Sequence, residues 1–311
     1  MYVVRRVGVF LFSVLVASAL VFSVMSILPG DPAQVMLGTQ ATPESVAALR
    51  IELGLDRPIP VQYVDWLAGV VTGDLGVSIF SGQEIASQIG SRLRITIPLA
   101  LMAMTMTMIL AFPAGVYAAA RHRRLGDTVV SVISQIGLAI PAFWAGLILV
   151  SMFAVGRGWF PANGFPGWGS VTAGLRALFL PALSLAIVQG AIITRYVRSA
   201  VLDTMREDYI RTARSKGLTR SAALWRHGLR NAAIPVLTIL GLQFAALLAG
   251  TVVIESVFVL PGLGSMLLQA ITRRDLLLVQ GGAFVIVAII LTINLLVDLT
   301  YRFIDPRVAH R

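Results

Sequence analysis

The chain has 311 residues, of which 57% are hydrophobic and 13% charged, with a mean hydropathy of +0.84 and a net charge of +10. A soluble domain carries about a quarter charged residues, so this composition excludes an ordinary water-soluble fold. There are no cysteines, which excludes disulfides, thiolate nucleophiles and cysteine-based metal sites.

A helix needs about 20 apolar residues to cross the hydrocarbon core of a bilayer. Six runs without a formal charge meet that need: Val7–Leu28, Ile95–Ala120, Thr128–Gly156, Ala177–Thr194, Asn231–Ile254 and Leu276–Val297. Barrel strands would be shorter and alternating, so the chain reads as an all-α polytopic membrane protein with six transmembrane helices. The first run continues past Ala17-Ser18-Ala19, longer than a secretory signal's apolar region, and is expected to be a retained first helix, 1–28.

Residues 29–94 form an external loop with seven acids against four arginines. Thr42-Pro43-Glu44-Ser45 predicts a helix start that runs to about Leu53 and stops at Gly54. Gln62–Val71, with Tyr63 and Trp66, predicts a second short helix. The rest, 95–311, is a five-helix core. Pro98, Pro113, Pro141, Pro181 and Pro235 fall in or at the ends of its spans, Pro98, Pro181 and Pro235 within reach of first turns. Trp159, Phe160, Phe165 and Trp168 suggest an interfacial aromatic belt. Ser256–Thr272, broken by Pro261-Gly262-Leu263-Gly264, suggests a re-entrant or surface-lying helix.

Charge is distributed unevenly across these spans. Seventeen of the 25 basic residues fall on the side that holds both termini and the loop 195–230, and eight on the other. The positive-inside rule therefore places both termini and that loop in the cytoplasm, where the loop would touch anionic membrane lipid. Nine of the basic residues lie between Arg195 and Arg230, against three acids. Arginine-rich binding to nucleic acid is the rival reading of this loop, but such a site would want aromatic interleaving or an independent fold.

Catalytic chemistry is sparse. A phosphate-cradling loop ends in Gly-Lys-Ser/Thr, whereas the only lysine, Lys216, lies between Ser215 and Gly217. Three histidines, His122, His227 and His310, do not form a zinc-binding pattern. The charge expected to be embedded at a span is Asp298, four residues before Arg302. Neutral polar groups at mid-span, Gln135, Gln189, Gln243 and Asn294, are candidates for a translocation path, or for hydrogen bonds between helices. Without intramembrane acids, driving energy has to come from elsewhere.

On a helical wheel, residues 205–217 gather Tyr209, Ile210, Ala213 and Gly217 on one face, with Thr212 and Lys216 beside it. Arg211, Arg214 and Ser215 point away. Glu207 and Asp208 open this helix and bases close it, in keeping with the helix dipole, and Gly217 supplies the stop.

The string Asp208-Tyr209-Ile210-Arg211-Thr212-Ala213-Arg214-Ser215-Lys216-Gly217-Leu218, followed by Arg226 to Pro235, resembles the Glu-Ala-Ala-x-x-x-Gly motif of bacterial ABC importer permeases in its dipeptide/oligopeptide form. Leu28-Pro29-Gly30-Asp31-Pro32, Gly73-Asp74-Leu75-Gly76-Val77-Ser78, Ile140-Pro141-Ala142-Phe143-Trp144, Glu255-Ser256-Val257-Phe258 and Asp305-Pro306-Arg307 agree. Arg211 stands where the general motif has Glu. The long external loop is similar to that of the first of the two permeases in such systems.

The resemblance implies the type I ABC importer fold with a cytoplasmic coupling helix, in a bacterial plasma (inner) membrane. It implies four kinds of partner: a second homologous permease forming a heterodimer, two cytoplasmic ATPase subunits, an external substrate-binding protein, and lipid. ATP and Mg would be bound by the ATPases, with no cofactor and no catalytic residue in this chain. Glu207, Asp208, Tyr209, Arg211, Thr212, Ala213, Arg214, Lys216 and Gly217 would then couple to the ATPase, with the Tyr209/Ala213/Gly217 face as the contact. Peptides are the expected cargo. A stand-alone secondary transporter or channel is the alternative.

Overall fold

The computed structural model describes residues 2–27, 32–38 and 41–304; Leu28–Asp31 and Asp305–Arg307, which contributed to the family resemblance, lie outside it. In chain order the helices are α1 (Tyr2–Ile27), α2 (Pro32–Leu37), α3 (Pro43–Glu52), α4 (Ile59–Thr72), α5 (Ile85–Ala120), α6 (Leu125–Ala139) and α7 (Ala142–Leu149, running into a π turn, Val150–Val155). Then follow α8 (Val171–Thr204), α9 (Asp208–Ser215), α10 (Arg220–Ala223, running into a π turn, Leu224–Gly228), α11 (Leu229–Val257), α12 (Leu263–Arg273) and α13 (Leu276–Ile304). Among the described residues five helices are long and apolar enough to cross a membrane, six if α6 and α7 count as one span.

That pair occupies the third expected span, which is broken at Pro141. α6 and α7 meet at an angle of 99°. Proline disfavours helical backbone in the residue before it, and Ile140 is accordingly extended (φ −88°, ψ 120°) with Pro141 capping α7. The other prolines do not occupy first turns: Pro98 and Pro113 lie inside α5, Pro181 inside α8 and Pro235 inside α11. Beside Pro181 the Ser184 hydroxyl donates to the Pro181 carbonyl at 2.7 Å.

The chain divides into two compact units. One comprises residues 1–3, 97–260 and 293–311, of which 2–3, 97–260 and 293–304 are described. α8 is its central helix, with α6, α7 and α11 packed on it. Lipid tails are as apolar as leucine, so helices in a membrane associate through close packing rather than through a hydrophobic drive. Glycine permits that approach. A Cβ on Gly115 of α5 would lie 2.7 Å from the Val197 Cβ of α8, and one on Gly137 of α6 would lie 2.9 Å from the Ala191 Cβ. A cluster of Ala111, Val116, Ile193, Val197, Leu224 and Val236 joins α5, α8, the second π turn and α11. The aromatics of the 156–170 loop pair with neighbours: Phe160 stacks on Phe179, Phe165 meets Trp168 edge-on, and the Arg157 guanidinium lies over Phe153 and Trp159.

The other unit comprises residues 4–96 and 261–292. Its core joins the start of α5 (Ile85, Ile89), α12 (Leu263, Met266, Leu267) and the start of α13 (Leu278, Val279). Phe22, Tyr63, Trp66 and Phe284 form an aromatic cluster between α1, α4 and α13. The expected cap on α3 is present, with Thr42 and Ser45 bonding reciprocally, and α4 follows close to its expected place. Ser78 donates to buried Asp275 at 2.6 Å, and the other oxygen of Asp275 accepts the Leu278 N–H at the start of α13. The interrupted segment after α11 yields α12, a separate helix of 11 residues.

Candidate functional site

The coupling segment begins later than its wheel suggests. Met205 caps α8, the backbone turns through Arg206 and Glu207, and α9 starts at Asp208. Gly217 ends the turn at φ 92°, a left-handed conformation that costs a β-carbon residue about 1–2 kcal/mol. Thr219 then caps α10, accepting the Ala222 N–H.

α9 sits on the chain through two side chains, fully buried Ile210 and nearly buried Ala213. Its contacts are with α10 and the π turn that follows. A third tie comes from Asn231 in the first turn of α11, whose Nδ2 donates to the Tyr209 hydroxyl at 2.8 Å. Of the expected contact face, Ala213 turns inward with Ile210, whereas Tyr209 and Gly217 stay exposed. Glu207, Asp208, Arg211, Thr212, Arg214, Ser215, Lys216 and Gly217 are exposed, and Tyr209 is partly so. Arg211 donates to Asp208 at 3.4 Å with side chains 73% and 95% exposed. Exposed pairs contribute about 0–1 kcal/mol, so both charges can be re-paired by an incoming surface at little cost.

The mid-span polar residues separate into two groups. Gln189 of α8 is buried and its Nε2 donates to the Gln243 backbone carbonyl of α11 at 3.4 Å. The side-chain carbonyl oxygens of Gln189 and Gln243 are both buried without a hydrogen-bonding partner among the described residues. Asn294 of α13 approaches Gly241 of α11, its Oδ1 lying 3.3 Å from where a Cβ would be. Gln135 lies on the exposed face of α6, apart from these three.

Asp298 is not alone as a charge within a span. Asp127, in the first turn of α6, is 5% exposed and meets Arg198 of α8 through two hydrogen bonds, at 2.5 and 2.8 Å. The Arg123 N–H donates to it at 3.0 Å, and the His122 Nδ1 lies 3.3 Å away. Glu255, near the end of α11, is fully buried as well. The sequence signal for the first pair was an acid opening one apolar run and an arginine in the extension of another.

The class that this architecture defines is a polytopic helical membrane protein. A solved structure described as an amino acid ABC transporter with histidines has the same fold, with a TM-score of 0.53 at 19% identity over 70% of this chain and 94% of that one. The family follows from sequence. Residues 111–310 match the binding-protein-dependent transport system inner membrane component, and residues 1–100 match the N-terminal region of such membrane components. The chain belongs to this family of ABC importer permeases.

Among its relatives is a putative peptide transport system permease protein of Brucella abortus, 42% identical over 99% of this chain and 98% of that protein. The di/tripeptide transport system permease protein DppB of Pseudomonas aeruginosa is 36% identical, covering 100% of this chain and 99% of that protein. The glutathione transport system permease protein GsiC of Escherichia coli is also 36% identical, over 100% and 99%. Membership decides for the importer subunit over a stand-alone secondary transporter or channel.

Proposed function

We propose that this permease conducts di- and oligopeptides inward as one of a pair of homologous permeases, driven by ATPases seated on the outward face of α9. The observation that carries the coupling role is the construction of α9. Two buried side chains and the Tyr209–Asn231 hydrogen bond hold it to the chain, while Asp208, Arg211, Thr212, Ser215 and Lys216 remain exposed. A helix fixed in this way can transmit a push from a partner to α8 and α11, between which it lies in the chain. The peptide cargo is supported by the names of the Brucella and Pseudomonas relatives.

In this reading both termini and α9 are cytoplasmic, in keeping with the basic residues concentrated there. ATP and Mg belong to the ATPase subunits, and an external binding protein delivers the peptide. Gln189, Gln243 and Asn294 contribute polar groups to the path, and Gln135 adds one from the exposed face of α6.

The test is reconstitution of the assembled transporter in liposomes with a labelled dipeptide. Arg211→Glu with Lys216→Glu is expected to lower ATPase co-purification about tenfold or more and to abolish ATP-driven uptake, while the chain still inserts. Undiminished uptake and ATPase retention in that double variant would remove the coupling role from α9. Uptake of other solutes with peptide ignored would remove the cargo assignment alone.

A further inference from the structure

The geometry points to a built-in binding site for an anionic phospholipid, separate from the outward face of α9. A cavity of about 480 Å³ lies between the last turns of α5, the end of α8 and the start of α10 with its π turn. Its volume falls within the range of about 300–1,000 Å³ typical of small-molecule sites. Phe112, Val116, Val201 and Leu224 are among its apolar walls, and Arg220 and Trp225 also line it. No carboxylate is among the lining residues.

Three features select the occupant. The walls are apolar and belong to the ends of two membrane-spanning helices, where acyl chains are the nearest apolar molecules. Two guanidiniums flank the cleft: Arg220 lines it, and Arg121 lies 5.9 Å over the ring of Tyr117, which also lines it. Trp225 is 68% exposed, and an indole with an apolar body and an N–H donor suits the level of the headgroups. An acyl chain in the slot thus places a phosphate beside two cations. Basic pockets between spanning helices favour anionic over zwitterionic lipid for this reason.

The site can be read by native mass spectrometry of the full-length chain, with its partner subunits, from nanodiscs of mixed phosphatidylglycerol and phosphatidylcholine. The protein is expected to retain phosphatidylglycerol preferentially. Arg121→Gln with Arg220→Gln should cut that preference by about fivefold or more while lipid is still retained. Ala120→Trp, at an exposed lining position, should reduce retention of both lipids. Equal retention of the two lipids by the unaltered protein would overturn the inference, as would an unchanged preference in the double arginine variant. So would a photo-crosslinking residue at position 225 that captures a protein subunit instead of lipid. None of these readouts involves uptake, so they stand apart from the coupling and cargo assignments.

Discussion

Asp127 and Arg198 connect α6 to α8 by a two-pronged hydrogen bond in which the carboxylate is almost completely shielded. Breaking a buried pair leaves one charge without compensation, at a cost of about 3–5 kcal/mol, whereas replacing both partners by apolar residues of similar size is often neutral. Asp127→Asn should therefore lower the thermal unfolding temperature of the purified protein markedly, and Asp127→Leu with Arg198→Met should recover most of the loss. Val259 presents a different kind of stress, a β-branched residue at φ 52° between buried Phe258 and Leu260. Left-handed backbone costs such a residue about 1–2 kcal/mol, and asparagine tolerates it better. Because Val259 is itself exposed, Val259→Asn is expected to raise the unfolding temperature measurably.

Single elements differ in how much the sequence disclosed. The cap of α3 was legible because Thr42, Pro43 and Ser45 act within one turn, and α4 because its apolar pattern is local. α9 was legible as a helix but not in its facing. A wheel groups Tyr209, Ile210, Ala213 and Gly217 without saying which of them meets the chain itself, and packing turned Ile210 and Ala213 inward while Tyr209 and Gly217 stayed exposed. Asp127 could not be recognised as half of a buried pair because its partner is 71 residues away. The neutral residues at mid-span were recognisable as a class, yet only the fold could bring Gln189 to Gln243 and set Gln135 on the exposed face of α6. The stop of α9 offers a further check. Gly217→Val should fray the helix end and speed tryptic cleavage at Arg214 and Lys216 about tenfold, while Gly217→Asn should behave nearly as the parent.

For the whole molecule, orientation is open to direct measurement, since the chain has no cysteine to remove first. Single cysteines at positions 124, 208 and 220 are expected to react with a membrane-impermeant reagent only after the cytoplasmic side is opened. Cysteines at 57 and 164 should react in intact cells. The reverse pattern would invert the topology inferred from the basic residues.

The 99° elbow at Pro141 bears on biogenesis. With 15 residues, α6 extends about 22 Å, short of the roughly 30 Å hydrocarbon thickness, and the arm beyond the proline is no longer. Neither arm can anchor itself as it leaves the ribosome, so the stretch from Leu125 to Val155 has to partition into lipid as one folded piece. A single cysteine in α6 should accordingly stay open to a membrane-impermeant reagent in nascent chains from which only this arm has emerged behind the inserted α1 and α5, and become protected once Val155 has left the ribosome.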